Sequence, residues 1–264
     1  MDVLTARSSD GTVVGCELIG DGPPLLVIHG STADRHRWNA VRDLLAASFR
    51  VHLMDRRGRG LSADEAADSY AFEREADDVR ALVGEIGPPV RVLSHSYGGA
   101  VSLEAITDNP GVERLLVYEP ALSTAEAELN PAGAVAEIEA ASARGDRDAT
   151  VSLFYSRMLE FDDAALDAVR ATPVWQHRLA AAHTLSRELI GANGYVLDPA
   201  RFEAVDIPVR ILLGTETTPA LTRAAHAAAE VVPGAELKEL PGHGHAAMDA
   251  DPRMFAAEVE DFLG

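Results

Sequence analysis

The chain has 264 residues, 47% of them hydrophobic, one cysteine and a formal net charge of −19. That length and apolar content suit one α/β domain with a modest insertion. The negative charge argues against nucleic acid or an anionic membrane as partner, because phosphate binding needs clustered cations. No segment approaches the ~20 apolar residues of a membrane span, and Met1 to Thr12 lack the basic and apolar regions of a signal peptide, so a cytoplasmic protein is expected. Cys16, being alone, forms no internal disulfide and reads as core. Lys238 is the only lysine, a usage that points to GC-rich bacterial coding rather than to guanidinium chemistry.

In chain order, apolar runs of strand length alternate with helix-period segments, which is the signature of βα units on a mostly parallel sheet. Residues 3–7 and 12–19 read as a leading antiparallel pair around Ser9-Asp10-Gly11. Further strands are predicted near 24–28, 49–54, 90–94, 113–119, 207–213 and 235–239. Helices are predicted near 36–47, 74–86, 97–108, 219–231 and 252–263, the last opening on Pro252, where a first-turn proline belongs.

Four segments stand out. Val90-Arg91-Val92-Leu93 runs into Ser94-His95-Ser96-Tyr97-Gly98-Gly99, a strand breaking into a small-residue turn with a central serine. A hydroxyl can be held at such a tip only if its neighbours leave room for strand and helix backbones to approach, which Gly98 and Gly99 provide. Alone, the string also fits an ordinary βα turn. Upstream lie Leu25-Leu26-Val27-Ile28-His29-Gly30-Ser31, and then Val51-His52-Leu53-Met54-Asp55 emptying into the Gly58–Gly60 loop; far downstream, Leu240-Pro241-Gly242-His243-Gly244-His245 puts a histidine between a strand and the final helix.

In this order the four segments resemble the α/β-hydrolase superfamily, serine-nucleophile members with a helical cap. The resemblance implies a mostly parallel eight-stranded sheet flanked by helices. Its core would comprise residues 1–121 and 201–264, with 122–200 as the inserted cap. That interval is helical in pattern, with stops at Gly145, Pro173 and Gly191 and N-caps at Asp148, Asp162 and Thr172. A cap of this kind shapes the substrate pocket, so Phe154, Tyr155, Met158, Trp175 and Tyr195 are candidate lining residues. Aromatics at helical spacing equally suit packing between the cap helices.

Ser96 needs a base, because a serine hydroxyl is a poor nucleophile until an imidazole takes its proton. Among nine histidines, His245 occupies the position from which the family's base reaches the elbow, in the order Ser, acid, His. His243 and His245 also form a His-x-His pair, but no third ligand stands at a metal-site spacing, and no metal or cofactor is expected. His29-Gly30 resembles the family's structural pair beneath the oxyanion loop. By the same resemblance the oxyanion donors are the backbone N–H groups of Ser31 and Tyr97. His95 is expected to point away from the chemistry, and Asp55 with Arg56, Arg57 and Arg59 to tie loops together.

The acid departs from the common pattern. The family's usual Gly-x-x-Asp loop here reads Gly214-Thr215-Glu216-Thr217, so the aspartate position holds a threonine. Glu119, after the strand that follows the elbow helix, occupies the place from which some members draw their acid. It is the expected third member of the triad, with Glu216 as the alternative and a solvated strand-end glutamate as the competing reading. The resulting expectation is an esterase or related acyl hydrolase acting on a small, uncharged or weakly polar, mainly apolar molecule. A dehalogenase or epoxide hydrolase would carry aspartate at Ser96. Perhydrolase or peroxidase, lyase or cyclase activity, and a non-catalytic ligand receptor, remain alternatives on the same scaffold.

Overall fold

Eight strands join in one sheet in the computed structural model, which describes residues 1–64, 69–108 and 111–264. The spatial order is β1 (Asp2–Arg7), β2 (Val13–Ile19), β4 (Arg50–Asp55), β3 (Pro24–Ile28), β5 (Val90–His95), β6 (Val112–Tyr118), β7 (Val209–Gly214) and β8 (Glu236–Leu240). β1–β2 and β2–β4 are antiparallel, and every other pairing is parallel. The central strands are continuous apolar runs because both faces are covered. Along β3, Leu26 and Ile28 enter one core and Leu25 and Val27 the other, and β6 divides Leu115 and Val117 from Leu116 and Tyr118 in the same way.

A 3-10 turn (Arg35–Trp38) and α1 (Arg42–Leu45) replace the single helix expected over 36–47. Trp38 and Leu45 still reach the same buried cluster. The helix α2 (Phe72–Ile86) buries Phe72, Ala76, Val79, Leu82 and Val83 at helical spacing, and α3 (Tyr97–Ile106) is buried along its whole length.

Between β6 and β7 lie α4 (Ala132–Ala143), α5 (Arg147–Arg157), α6 (Asp163–Arg170), α7 (Val174–Gly194) and α8 (Pro199–Phe202). Helices α4 to α7 enclose an apolar cluster of their own that includes Ile138, Val151, Tyr155, Trp175 and Leu185. The N-cap of α5 is Asp146, which accepts from Ala149 N, rather than Asp148; Asp162 caps α6 as expected, and α7 starts after Pro173 with no side-chain cap from Thr172. Gly191 does not stop a helix. It lies inside α7, where an added Cβ would sit 3.0 Å from the Tyr97 hydroxyl, so its small size serves a close approach.

The chain then closes with α9 (Pro219–Val231), α10 (Ala247–Ala250) and α11 (Pro252–Leu263). Both long helices start on a side-chain cap followed by proline, Thr218-Pro219 and Asp251-Pro252.

The helical insert is fastened to the loops of the sheet by ionic contacts, the innermost of them buried. Glu188 on α7 meets Arg56 at 3.2 Å and also binds Arg59, which donates to Thr184 as well. Arg56 forms two further bonds with Glu75, at 2.6 and 2.7 Å. Burial alone would raise the Glu188 pKa, but Arg56 and Arg59 outweigh it and hold the carboxyl below the usual range. Arg187 grips Asp64 through two 3.0 Å bonds, and His177 reaches Asp34 at 2.9 Å. The expected loop-tying role of Asp55 and its neighbouring arginines fits these contacts; Asp55 itself accepts from Arg35 N, Arg35 Nη1 and Leu61 N.

Candidate active site

Ser96 follows β5 and caps α3 with φ 57° and ψ −124°, a left-handed conformation that a residue with a Cβ holds only under compulsion, at a cost of about 1–3 kcal/mol. The surroundings impose it. Ser96 N donates to Tyr118 O at 3.0 Å, and Ser96 O accepts from Gly99 N and Ala121 N at 2.8 and 3.0 Å. A Cβ on Gly98 would run into the His29 carbonyl, and one on Gly99 would lie 2.7 Å from Val117 Cγ1. Gly30 faces the serine itself, its added Cβ falling 2.7 Å from Ser96 Cβ. Ser94, standing where the motif usually has glycine, is buried and turns its hydroxyl to Ser102 at 2.6 Å.

One strand over, Glu119 follows β6 with φ 46° and no solvent exposure. A buried carboxylate needs its lone pairs filled. Oε1 accepts from Gly214 N at 2.9 Å, while Oε2 accepts from the Thr217 hydroxyl at 2.9 Å and from His245 Nδ1–H at 2.5 Å. His245 comes from the loop after β8 and lines the same two cavities as Ser96. Glu216 is exposed, and its backbone N–H donates to His243 O; its carboxylate makes no described bond to His245.

Sequence reasoning missed how the His245 loop is held. His95 and Tyr118, the residues immediately before Ser96 and Glu119, both grip it. His95 Nε2–H donates to His245 O at 3.0 Å, and the Tyr118 hydroxyl donates to Gly244 O and accepts from Ala247 N at 3.3 Å. Burial, reinforced by His245, presses the His95 pKa well below the ordinary imidazole value, so it stays neutral. His95 thus turns its ring toward the backbone of His245. The available sequence signal was two large ring side chains at the very ends of the central strands.

Beneath the Gly30 loop, His29 is fully buried; its Nδ1–H donates to Gly30 O at 2.8 Å and its Nε2 accepts from Arg56 N at 3.1 Å. Burial, with Arg59 and Arg56 nearby, keeps it neutral, as that acceptor role requires. Ser31 lines both cavities. Tyr97 opens α3, where backbone N–H groups have no partner within the helix.

Two cavities flank Ser96, of about 310 and 670 Å³, sharing Ser31, Ser96, Phe154, Leu159, Thr218 and His245. Tyr155 lines the larger and Met158 the smaller. Trp175 corrects the expectation: it lines neither of these cavities but packs inside the insert, its indole N–H donating to Asp148 Oδ1 at 3.1 Å. Tyr195 likewise stacks on Phe72 and donates to Glu104 at 3.0 Å. Cys16 is buried and its thiol is pushed up to about 12, which makes it inert as a nucleophile.

Of the pair considered for metal binding, His245 is engaged by Glu119. The described residues do bring Asp34, His36 and His177 together, with donor atoms within 4.8 Å of one another. Each ring nitrogen there bonds the Asp34 carboxylate, at 3.0 and 2.9 Å, so the cluster joins the insert to the loop after β3.

A strained serine at a strand-to-helix turn, beside a histidine bonded to a buried carboxylate on a mostly parallel sheet, is the arrangement of an α/β hydrolase. The chain belongs to the alpha/beta hydrolase family, whose sequence profile matches residues 25–258. An alpha/beta hydrolase from Sphaerobacter thermophilus DSM 20745 is similar at 28% identity with a TM-score of 0.85, over 99% of this chain and 100% of that one. The esterase RhEst1 from Rhodococcus sp. ECU1013 is similar in fold, at 24% identity and a TM-score of 0.76 over 100% and 98% of the two chains. A Mycobacterium tuberculosis H37Rv protein described as probable oxidoreductase EphD is 38% identical over 81 residues; the match takes in 30% of this chain and 14% of that protein. Among the described residues, no helix is long and apolar enough to cross a membrane.

Proposed function

We propose that this protein is a serine esterase, or a closely related acyl hydrolase, acting on a small molecule through Ser96, His245 and Glu119, with the helical insert as its cap. The observation that carries the reading is the 2.5 Å bond from His245 Nδ1–H to Glu119 in a site where His245 and the strained Ser96 line the same cavities. With Nδ1 protonated, Nε2 is the free base.

In this reading Ser96 Oγ attacks the ester carbonyl carbon as its proton passes to His245 Nε2, and Glu119 stabilises the imidazolium. The C=O electron pair moves onto oxygen. The Ser31 and Tyr97 N–H groups meet that oxyanion, each donor worth about 3 kcal/mol of transition-state stabilisation. Collapse breaks the bond to the leaving alcohol, which takes the proton from His245. Water then repeats the sequence on the acyl-serine, returning Ser96 and releasing the acid. Every proton in this cycle is carried by His245.

The test is intact-protein and peptide mass spectrometry after treatment with a fluorophosphonate, with turnover of a panel of acyl nitrophenyl esters. A single adduct on Ser96, and loss of both labelling and turnover in Ser96→Ala, is the expected result. Full ester turnover in Ser96→Ala overturns the reading.

A further inference from the structure

The larger cavity contains a cation with no carboxylate bonded to it. Arg178, on α7, lines it beside Ser31, Ser96 and His245. One of its N–H groups donates to Thr32 O at 2.8 Å, while its Nε is sealed from solvent without a hydrogen-bond partner. Among the described residues no carboxylate lies within 4.0 Å of this guanidinium. Asp249, bonded to Arg37 at 2.6 Å, and Asp34, bonded to His36 and His177, act on it only from beyond that distance, and Glu216 on the cavity wall is exposed.

This is unlike the buried arginines of the loop after β4. Arg56, Arg57 and Arg59 each hold a buried carboxylate, Glu75, Asp78 and Glu188 respectively. Where carboxylates surround Arg56 and Arg57 the guanidinium pKa rises, whereas burial lowers that of Arg178. Arg178 is half-buried, and Asp34 and Asp249 act on its charge only from beyond contact distance, so what the guanidinium lacks is a carboxylate bonded to it directly. A ligand carboxylate would fill that place. The planar guanidinium fork matches a carboxylate in two parallel bonds, and Phe154, Tyr155, Leu159, Phe161 and Val169 on the same wall suit an apolar spacer between that carboxylate and the reacting ester.

We propose that Arg178 is a substrate anchor, and that the ester cleaved here carries a free carboxylate on the part that fills the larger cavity. This refines the expectation of an uncharged substrate and rests on the esterase reading above. It also fits the geometry of the loop. Arg178 and His177 attach α7 to Thr32 O and Asp34, one and three residues beyond the proposed oxyanion donor Ser31, so the proposed anchor is tied to the same loop as that donor.

The test compares neutral nitrophenyl esters with the nitrophenyl hemiesters of dicarboxylic acids from succinate upward, and neutral aryl esters with carboxyaryl esters, in the wild type, Arg178→Gln and Arg178→Lys. The expected result is an optimum at one spacer length in one of the two series. Arg178→Gln should lower kcat/KM for that substrate at least about thirtyfold relative to its neutral analogue, with partial recovery in Arg178→Lys. An equal fall for charged and neutral esters marks Arg178 as structural support for Thr32 and overturns the proposal, as does the absence of a carboxylate preference in both series. Calorimetric titration of Ser96→Ala with the free dicarboxylates separates the two readings. Binding there that is lost in Ser96→Ala/Arg178→Gln keeps the anchor even if no ester is turned over, and ester turnover with no such binding keeps the esterase without the anchor.

Discussion

The Thr217 hydroxyl donates to the Glu119 carboxylate at 2.9 Å, on the same oxygen that receives His245 Nδ1–H. The loop position where the resemblance would put an acid here holds a donor to a carboxylate on the neighbouring strand. Threonine is not a gap in the site. It fills a lone pair on a carboxylate that has no solvent to do so, and with Gly214 N it aims the remaining charge at the imidazole.

Glu119→Gln is expected to lower kcat by about two to four orders of magnitude with the fold intact, because an amide in that place can present its N–H to Nδ1 and favour the wrong tautomer. Glu216→Gln, on an exposed side chain, should change kcat less than about tenfold. Steady-state kinetics of the two purified variants decide; the reverse ranking would move the acid to Glu216.

The strands were legible because a strand covered on both faces has to be an unbroken apolar run, and the elbow because only small residues survive at Gly98 and Gly99. The candidate acid was sought on the neighbouring strand because Thr217 stands where a charge was due. What sequence could not supply were properties decided across the fold. Gly191 looks like a helix stop until the Tyr97 hydroxyl is seen against it. Asp148 looks like an N-cap, but its carboxylate serves the Trp175 indole and Arg170, and Asp146 caps instead. The expected helix over 36–47 breaks into two short turns; each still delivers its large side chain, Trp38 or Leu45, to the same core. The counter-ion state of Arg178 has no local signature, since it depends on which carboxylates other arginines have already taken.

Tyr118→Phe tests whether the grip on the His245 loop matters for rate. The ring stays, stacked on His95 at 5.3 Å, and only the hydroxyl between Gly244 O and Ala247 N is lost. A small displacement of a base costs rate steeply, so kcat should fall about five- to a hundredfold while KM stays within about twofold. A matching fall in thermal stability with unchanged kcat would assign the hydroxyl to folding alone.

Trp175→Ala should behave as a core deletion. The residue packs on Tyr155, lies under Arg170 and bonds Asp148, so truncation is expected to cost about 3–5 kcal/mol in denaturant unfolding. The ratio of kcat/KM between short and long acyl esters should barely move. Phe154→Ala, which opens the wall common to both cavities, should shift that ratio several-fold. A chain-length switch in Trp175→Ala and none in Phe154→Ala would return the tryptophan to the pocket.

Acid should loosen the attachment of the insert through Glu188. Its carboxyl is held below the usual range in the folded protein by Arg56 and Arg59, against the upward pull of burial, while in the unfolded chain it titrates at its ordinary value near 4.5. A depressed folded pKa contributes stability that is fully present above the unfolded pKa and is lost as pH falls through the folded one. The wild type should therefore exceed Glu188→Gln in melting temperature by a constant margin from neutrality down to about pH 5, and that margin should shrink steadily at lower pH. Glu188→Gln itself leaves Arg59 without its carboxylate partner and should be markedly less stable at neutral pH. Differential scanning calorimetry of both proteins across this range provides the check, and a margin that stays the same down to strongly acid pH would show that the Glu188 charge does not hold the insert in place.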